Sequence, residues 1–385
     1  MINSAFTIYR FPSVFVLNYM KELQEILKKI AVLKPDEKAV LATVVDVKGS
    51  SYRRAGARML IGADGETIGT VSGGCLEADV LERAKKVWGT GAAEVFVYDT
   101  TATEDSVFSL NMGCRGVIRI LLEPARDNAI FEFLQNCVRQ RKACAVTTLI
   151  AKSESFSLPI GAKFLVRAET DWSGETNPII QNVLSDAAKA LADNRKFSKI
   201  YEADSEMAEF FIESIFPPIN LLLFGAGYDA ISLADFAANL GWRVTLIDHR
   251  PAWASAERFP SAAEIIVSRA ENLNENLFRD EISVAVLMTH NYEADREILY
   301  RLLNSSCRYV GALGPKKRTE NLIAELRRAG KTFDESKLNR LYAPIGLDIG
   351  AESPEEIALA IIAEIRSVLS NREAGFLRAR QGGIH

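Results

Sequence analysis

The chain has five cysteines, Cys75, Cys114, Cys137, Cys144 and Cys307, yet no CxxC pair and no spacing that would hold zinc. At 385 residues it needs no disulfide staples, so the thiols are read as reduced and the protein as cytoplasmic. An excess of basic charge is also lacking. Lys and Arg number 46 against 50 Asp and Glu, and the net charge of −4 gives no electrostatic basis for binding nucleic acid or an anionic membrane. No apolar run is long enough to span a bilayer. Near the N-terminus the longest, Val14 to Leu17, is too short even for a signal-peptide core, and no basic segment precedes it. Repeats and low-complexity tracts are absent too, which excludes solenoids and disordered arrays.

What is present is an ordinary globular composition, 48% hydrophobic and 25% charged, in a chain long enough for two domains of roughly 100–200 residues each. Residues 1–19 carry no clear pattern and are set apart as a leader, expected to be disordered. From Met20 a helical face appears in Leu23, Ile26, Leu27 and Ile30. The β-branched run Ala39 to Val47, a hairpin about Ala63-Asp64-Gly65-Glu66, an amphipathic helix from Leu76, and strands at Glu94–Tyr98, Val117–Leu122 and Ala143–Ile150 predict an α+β first domain over 20–216. Its middle, from Ser153 onward, is weakly patterned, with one helix near Pro178–Ala192 and a short strand near Lys199–Ala203. Phe216-Pro217-Pro218 reads as a hinge. Beyond it, over 217–371, near-continuous apolar strands alternate with amphipathic helices. That is the pattern of a doubly wound parallel sheet covered on both faces, a Rossmann-type domain, with 372–385 as a tail.

The first βα turn of that second domain carries a nucleotide-binding fingerprint. Leu221-Leu222-Leu223-Phe224 is a buried strand, and Gly225-Ala226-Gly227-Tyr228-Asp229-Ala230 follows as GxGxxA. Gly225 permits the tight turn, Gly227 lets backbone N–H groups approach a phosphate, and small Ala230 allows close helix-to-strand packing. Asp248 ends the next strand 23 residues after Gly225, where an acid normally accepts a ribose hydroxyl. The alternative is a glycine turn serving only the fold. Asp229 cuts against a simple dinucleotide site, since its carboxylate stands near the place where pyrophosphate would dock.

Other strand-end loops face the same crevice. Met288-Thr289-His290-Asn291 makes His290 either a ligand contact or a structural histidine. Gly311-Ala312-Leu313-Gly314-Pro315-Lys316-Lys317-Arg318 makes Gly311 and Lys316 either part of an anion cradle or a turn with a solvated basic face.

In the first domain, Ser72-Gly73-Gly74-Cys75-Leu76-Glu77 puts Cys75 at a helix start, where free N–H groups would favour thiolate. Cys114 lies in Met112-Gly113-Cys114-Arg115-Gly116 beside a guanidinium. Such thiolates bind soft metals or attack sulfur. Buried, inert roles suit Cys137, Cys144 and Cys307. Gly49 to Arg58 places Arg53, Arg54 and Arg58 in one loop, a second anion contact or simply surface charge.

These blocks together resemble the XdhC/CoxI family, the xanthine dehydrogenase accessory factors. The first-domain matches are Val47-Lys48-Gly49-Ser50-Ser51, Gly56-Ala57-Arg58-Met59, Gly69 through Glu77 and Met112-Gly113-Cys114. The second-domain matches are Phe224 to Gly227, Asp248-His249-Arg250-Pro251, Glu257-Arg258-Phe259-Pro260, Met288 to Asn291, Tyr309-Val310-Gly311 and Ala343 to Gly350. The resemblance implies a maturation factor that binds molybdenum cofactor as cargo, assists its sulfuration with a cysteine desulfurase, and delivers it to an apo molybdenum hydroxylase. Cys75 and Cys114, with Gly73 and Gly74, become cofactor contacts; Arg53, Arg58 and the Gly225 turn become seats for phosphate. A homodimer is expected. Two departures stand out: Tyr52-Arg53-Arg54-Ala55 replaces a Pro-Arg-Pro-Pro-like segment, and Tyr228 stands where a histidine is frequent. Competing readings are an NAD(P)-dependent oxidoreductase using Gly225, Asp248 and His290, which lacks an evident hydride-transfer constellation, and a thiol sulfur carrier using Cys75 and Cys114.

Overall fold

The computed structural model describes residues 20–34, 37–99, 116–125, 128–168, 175 and 177–381. The leader and the Met112–Arg115 loop with Cys114 lie outside the described residues. The chain divides into two compact units, Met1–Pro217 and Pro218–His385.

The first unit runs α1 (Met20–Ile30), β1 (Ala39–Gly49), β2 (Arg58–Gly62), β3 (Thr67–Gly69), α2 (Glu77–Thr90), β4 (Glu94–Asp99), β5 (Gly116–Pro124), α3 (Asn128–Arg139), β6 (Cys144–Lys152), β7 (Lys163–Val166), α4 (Pro178–Asp193), β8 (Lys196–Ala203) and β9 (Glu206–Ile215). It holds two sheets, ordered β3-β2-β1-β5-β4 and β7-β6-β9-β8, with every pairing antiparallel. The first was legible as a β-branched run, a hairpin and two further strands.

Of the second sheet, β6 was expected as Ala143–Ile150 and the end of β8 as Lys199–Ala203, whereas β7 and β9 were not. In β6 nearly every residue is buried, because Ala145 and Leu149 pack on α4 while Cys144 and Val146 pack toward α1 and α3. In β9 the buried Glu213 and Ser214 interrupt the apolar run. Neither strand shows the period-two signal of a half-buried strand, and β6 was legible only as a short apolar run. The short strand expected near Lys199–Ala203 is the end of an eight-residue β8. Helix α4 is bounded as its residues dictate: Asn177 accepts from the Ile179 and Ile180 N–H groups, Pro178 opens the first turn, and Asn194 closes the helix in the left-handed region.

The second unit runs β10 (Asn220–Phe224), α5 (Tyr228–Asn239), β11 (Arg243–Asp248), β12 (Glu264–Val267), β13 (Ser283–Leu287), α6 (Tyr292–Leu303), β14 (Tyr309–Ala312), α7 (Lys316–Arg328), β15 (Leu341–Tyr342) and α8 (Pro354–Leu369). All strands are parallel in the order β12-β11-β10-β13-β14-β15. Apolar β10 lies at the centre with all five residues buried, as a strand covered on both faces must. Small Ala230, Ala234 and Ala237 form the buried stripe of α5, and a capping box of Ser353 and Glu356 starts α8. The order of strands reverses between β10 and β13, and in such sheets ligands bind at that point beyond the carboxyl ends.

Candidate functional site

The two fingerprint glycines are there for different reasons. Gly225 has φ +112°, and a Cβ on it would fall 2.3 Å from the Met288 carbonyl oxygen, so the turn and the end of β13 both demand glycine. Gly227 has φ −66° and ψ 176°, a conformation open to any residue, and a Cβ there would meet only the His290 ring at 3.8 Å. Among the described residues nothing requires its bareness. The space it leaves lies at the N-terminus of α5, where exposed N–H groups and the helix dipole favour an anion.

Asp248 departs from the expected ribose acceptor. Its carboxylate accepts the Ala226 N–H at 2.8 Å, the Arg250 N–H at 2.9 Å, and Arg250 Nε and Nη2 at 3.0 and 2.7 Å. With 2% of its side chain exposed, it acts as a clip that ties the glycine turn to the segment after β11. Burial works to raise the Asp248 pKa, but the hydrogen bonds from Arg250 and from the Ala226 and Arg250 N–H groups outweigh it, and the net shift is downward. A depressed folded-state pKa gives a contribution that is full above the ordinary carboxylate value of about 4 and is lost as pH falls through the lower folded value. Asp248→Ala is accordingly expected to destabilise the second unit by about 2 kcal/mol at pH 7 and less at an acid pH below the lowered folded value. Denaturant melts of both proteins at the two pH values check this; an equal deficit at both would argue against an ionised clip.

His290 follows β13 with φ +56°, is exposed, and holds Nε2 3.8 Å from Asp229 Oδ2. Asn291 caps α6 through its side chain, which accepts the Ala294 N–H at 3.0 Å. Gly227, Asp229 and His290 thus converge. Beside them, past the ends of β11 and β13, a cavity of about 340 Å³ is lined by Asp248, His249, Ser268, Arg269, Thr289 and Asn291 among others.

An aromatic wall also borders the turn, and sequence reasoning missed it. Tyr228, 73% exposed, meets Trp253 edge-on with ring centroids 5.9 Å apart. Arg258 lies 5.3 and 4.6 Å from the two rings, and its Nη1 donates to the Ala226 and Trp253 carbonyls at 3.0 Å each. The only sequence signal was the Glu257-Arg258-Phe259-Pro260 block, which says nothing of a partner 30 residues away.

The structure does not bring the remaining loop residues to the turn. A Cβ on Gly311 would stand 2.1 Å from Ile345 Cδ1, so this glycine serves close packing inside the fold, not an anion cradle. Lys316 opens α7 and is exposed, with Glu320 4.0 Å away. Arg318 is turned to Asp295 at 2.7 Å.

In the first unit, Cys75 is exposed in a bend just before α2. Two N–H groups beside it are bonded within the loop: Gly74 and Leu76 donate to Ser72 Oγ at 3.2 and 3.1 Å. Glu77 accepts from the Ser72 N–H at 2.9 Å and from the Ser72 and Thr70 hydroxyls. Those bonds outweigh burial, and its pKa is lowered. Gly73 sits against the Tyr52 ring, Gly74 has φ +105° with open space beside it, and Arg53 Nε donates to the Thr70 carbonyl at 3.1 Å. The arginine loop and the cysteine loop are therefore one surface. Their guanidinium groups are not both offered to an anion. Arg53 pairs with Glu22, and Arg58 is buried against Glu213, its pKa pushed down to about 10 by that burial. Cys137, Cys144 and Cys307 are buried.

Residues 221–365 match the model of the XdhC Rossmann domain, and residues 32–99 match that of the XdhC and CoxI family. A Bacillus subtilis (strain 168) protein described as a probable subunit of xanthine dehydrogenase is 33% identical over 337 residues, 87% of this chain and 94% of that protein. The chain belongs to the XdhC/CoxI family. A further relative, Escherichia coli (strain K12) "Molybdenum cofactor insertion chaperone PaoD", is 23% identical over 335 residues, covering 87% of this chain and 85% of PaoD. A crystal structure described as a xanthine dehydrogenase from Bacillus halodurans superposes with a TM-score of 0.72 at 30% identity, covering 93% of this chain and 98% of that one. The XdhC Rossmann match spans the glycine turn, Asp248, the aromatic wall and His290. The XdhC and CoxI match spans the arginine and cysteine loops.

Proposed function

We propose that this XdhC/CoxI protein is a maturation factor that binds molybdenum cofactor, assists its sulfuration together with a cysteine desulfurase, and inserts it into an apo molybdenum hydroxylase of the xanthine dehydrogenase type. The observation that carries the reading is its likeness, across both units, to a relative named as a molybdenum cofactor insertion chaperone. The protein works as a homodimer in the cytoplasm, and it carries the cofactor as cargo without turning over a substrate.

The residues fit that cargo. The cofactor supplies a soft metal centre and a phosphate. The open face of Gly227 and the α5 N-terminus accept the phosphate, and the 340 Å³ cavity takes a nucleotide extension where one is present. Exposed Cys75 offers a soft donor, with Cys114 as the second cysteine contact. An NAD(P)-dependent oxidoreductase is the weaker reading, because the acid that would accept a ribose hydroxyl is filled by Arg250.

Equilibrium dialysis of purified molybdenum cofactor against wild type, Cys75→Ser and Cys114→Ser, with NAD and NADP in parallel, tests this. Saturable cofactor binding, weakened at least tenfold (about 1.4 kcal/mol) by one of the serines, is expected. Tight NAD(P) binding with no cofactor binding would overturn it in favour of the oxidoreductase.

A further inference from the structure

A carboxylate at a phosphate seat demands an explanation. Asp229 is the second residue of α5, at the end of the helix that Gly227 leaves open. An acid in a first turn is favourable to the helix itself, but it repels any phosphate brought to the same N–H groups. The charge of Arg250 is taken up by Asp248, and that of Arg318, away from the turn, by Asp295. Arg258 keeps its charge beside the turn, but its Nη1 is directed at the Ala226 and Trp253 carbonyls and no contact joins it to Asp229.

What faces Asp229 is an imidazole. His290 Nε2 lies 3.8 Å from Asp229 Oδ2, and the space over the His290 ring is the space that Gly227 keeps clear. Imidazole nitrogen and carboxylate oxygen bind a divalent ion at about 2.0–2.2 Å each, so two such donors on one ion stand about 3.0–3.5 Å apart. Both side chains are partly exposed, 63% for His290 and 31% for Asp229, so each can move the few tenths of an ångström required. Among the described residues no group of three His, Cys, Asp or Glu side chains is placed to hold a metal. The pair supplies two ligands, and the rest must come from ligand oxygens and water, as they do where cations bridge one or two protein ligands to phosphates.

We infer that Asp229 and His290 hold a divalent cation of the manganese-to-zinc type, whose remaining ligands are oxygens of a phosphate-bearing ligand seated on the glycine turn. Mixed nitrogen and oxygen donors suit those ions better than magnesium or calcium. The cation turns the repulsion into attraction, and metal and ligand each strengthen the binding of the other by the same factor. The inference rests on the reading that this turn seats the phosphate of the cargo.

Isothermal titration with ADP as the phosphate-bearing probe, with and without Mn2+, on the full chain tests it; electron paramagnetic resonance counts the bound Mn2+. In the wild type, Mn2+ is expected to tighten ADP at least tenfold, and ADP to tighten Mn2+ equally. Asp229→Asn and His290→Ala should each remove that coupling while leaving the melting temperature in place. If Asp229 is only a helix-end acid, Asp229→Asn tightens ADP without metal and Mn2+ changes nothing, which overturns the inference. Absence of ADP binding with or without Mn2+ overturns it as well. The cofactor dialysis is a separate readout: cofactor bound equally in the presence of a chelator and of Mn2+ leaves the chaperone reading standing and removes the cation.

Discussion

Alanine at Gly225 and alanine at Gly227 should separate folding from binding. Gly225→Ala forces a side chain into φ +112° and drives its Cβ to 2.3 Å from a backbone oxygen of Met288, which cannot swing away as a side chain would. The left-handed conformation alone costs about 1–2 kcal/mol, and displacing the end of β13 brings the loss to roughly 3 kcal/mol or more. For a unit of this size that lowers its melting temperature by about 10 °C. Gly227→Ala meets no such obstacle, because its backbone is ordinary and its new methyl group touches only His290 at 3.8 Å. It should melt with the wild type yet bind molybdenum cofactor at least tenfold more weakly, since the methyl occupies the approach to the N–H groups. Calorimetry and equilibrium dialysis on the two variants check both halves. A Gly227→Ala protein with undiminished affinity would place the phosphate elsewhere.

The second large effect belongs to the first unit. Glu213 is 1% exposed in β9, pairs with Arg58 from β2, and has Lys196 Nζ 3.5 Å from its other oxygen. Glu213→Gln removes the negative charge held against the Arg58 guanidinium and strands that guanidinium in a desolvated place; the neighbouring Lys196 amine, its pKa pushed down to about 7 by burial, sheds its proton more readily. The expected loss is on the order of 3–5 kcal/mol. Replacing Arg58 and Glu213 together by methionine and leucine should recover most of that, because an apolar pair of similar volume avoids the desolvation of the charges. Guanidinium chloride melts of the three proteins decide it. A double variant no more stable than Glu213→Gln would mean that the ion pair itself, and not the stranded charge, accounts for the effect.

Arg58 shows why a loop of arginines is a poor guide to an anion site. The sequence Arg53-Arg54-Ala55-Gly56-Ala57-Arg58 carries the same three charges whether they face solvent, ligand or core. The acidic partners of Arg53 and Arg58, Glu22 and Glu213, lie 31 and 155 residues away in the chain. No local pattern encodes that distance. The same holds for Asp248: its place at the end of β11 follows from the apolar run before it, but its capture by Arg250 and the Ala226 N–H depends on how the turn closes. For Gly311 the deciding atom is Ile345 Cδ1, brought in from another loop.

The sequence by itself determined the elements whose signals are local. A β-branched run, a hairpin and two further strands marked the first sheet, apolar runs and amphipathic helices marked the parallel sheet, and glycine spacing after β10 marked the turn where phosphate is expected. The motif blocks also carried the family. Tertiary structure alone decided which charges are available, which glycines the fold requires and which it leaves open, and that β6 pairs with β9 in a second sheet packed on α4. The physical reason is common to all of these. Burial and ion pairing are set by residues far apart in the chain, and a strand such as β9, whose apolar run is interrupted by a buried Glu213, carries neither an alternating pattern nor an unbroken apolar run by which it could be read.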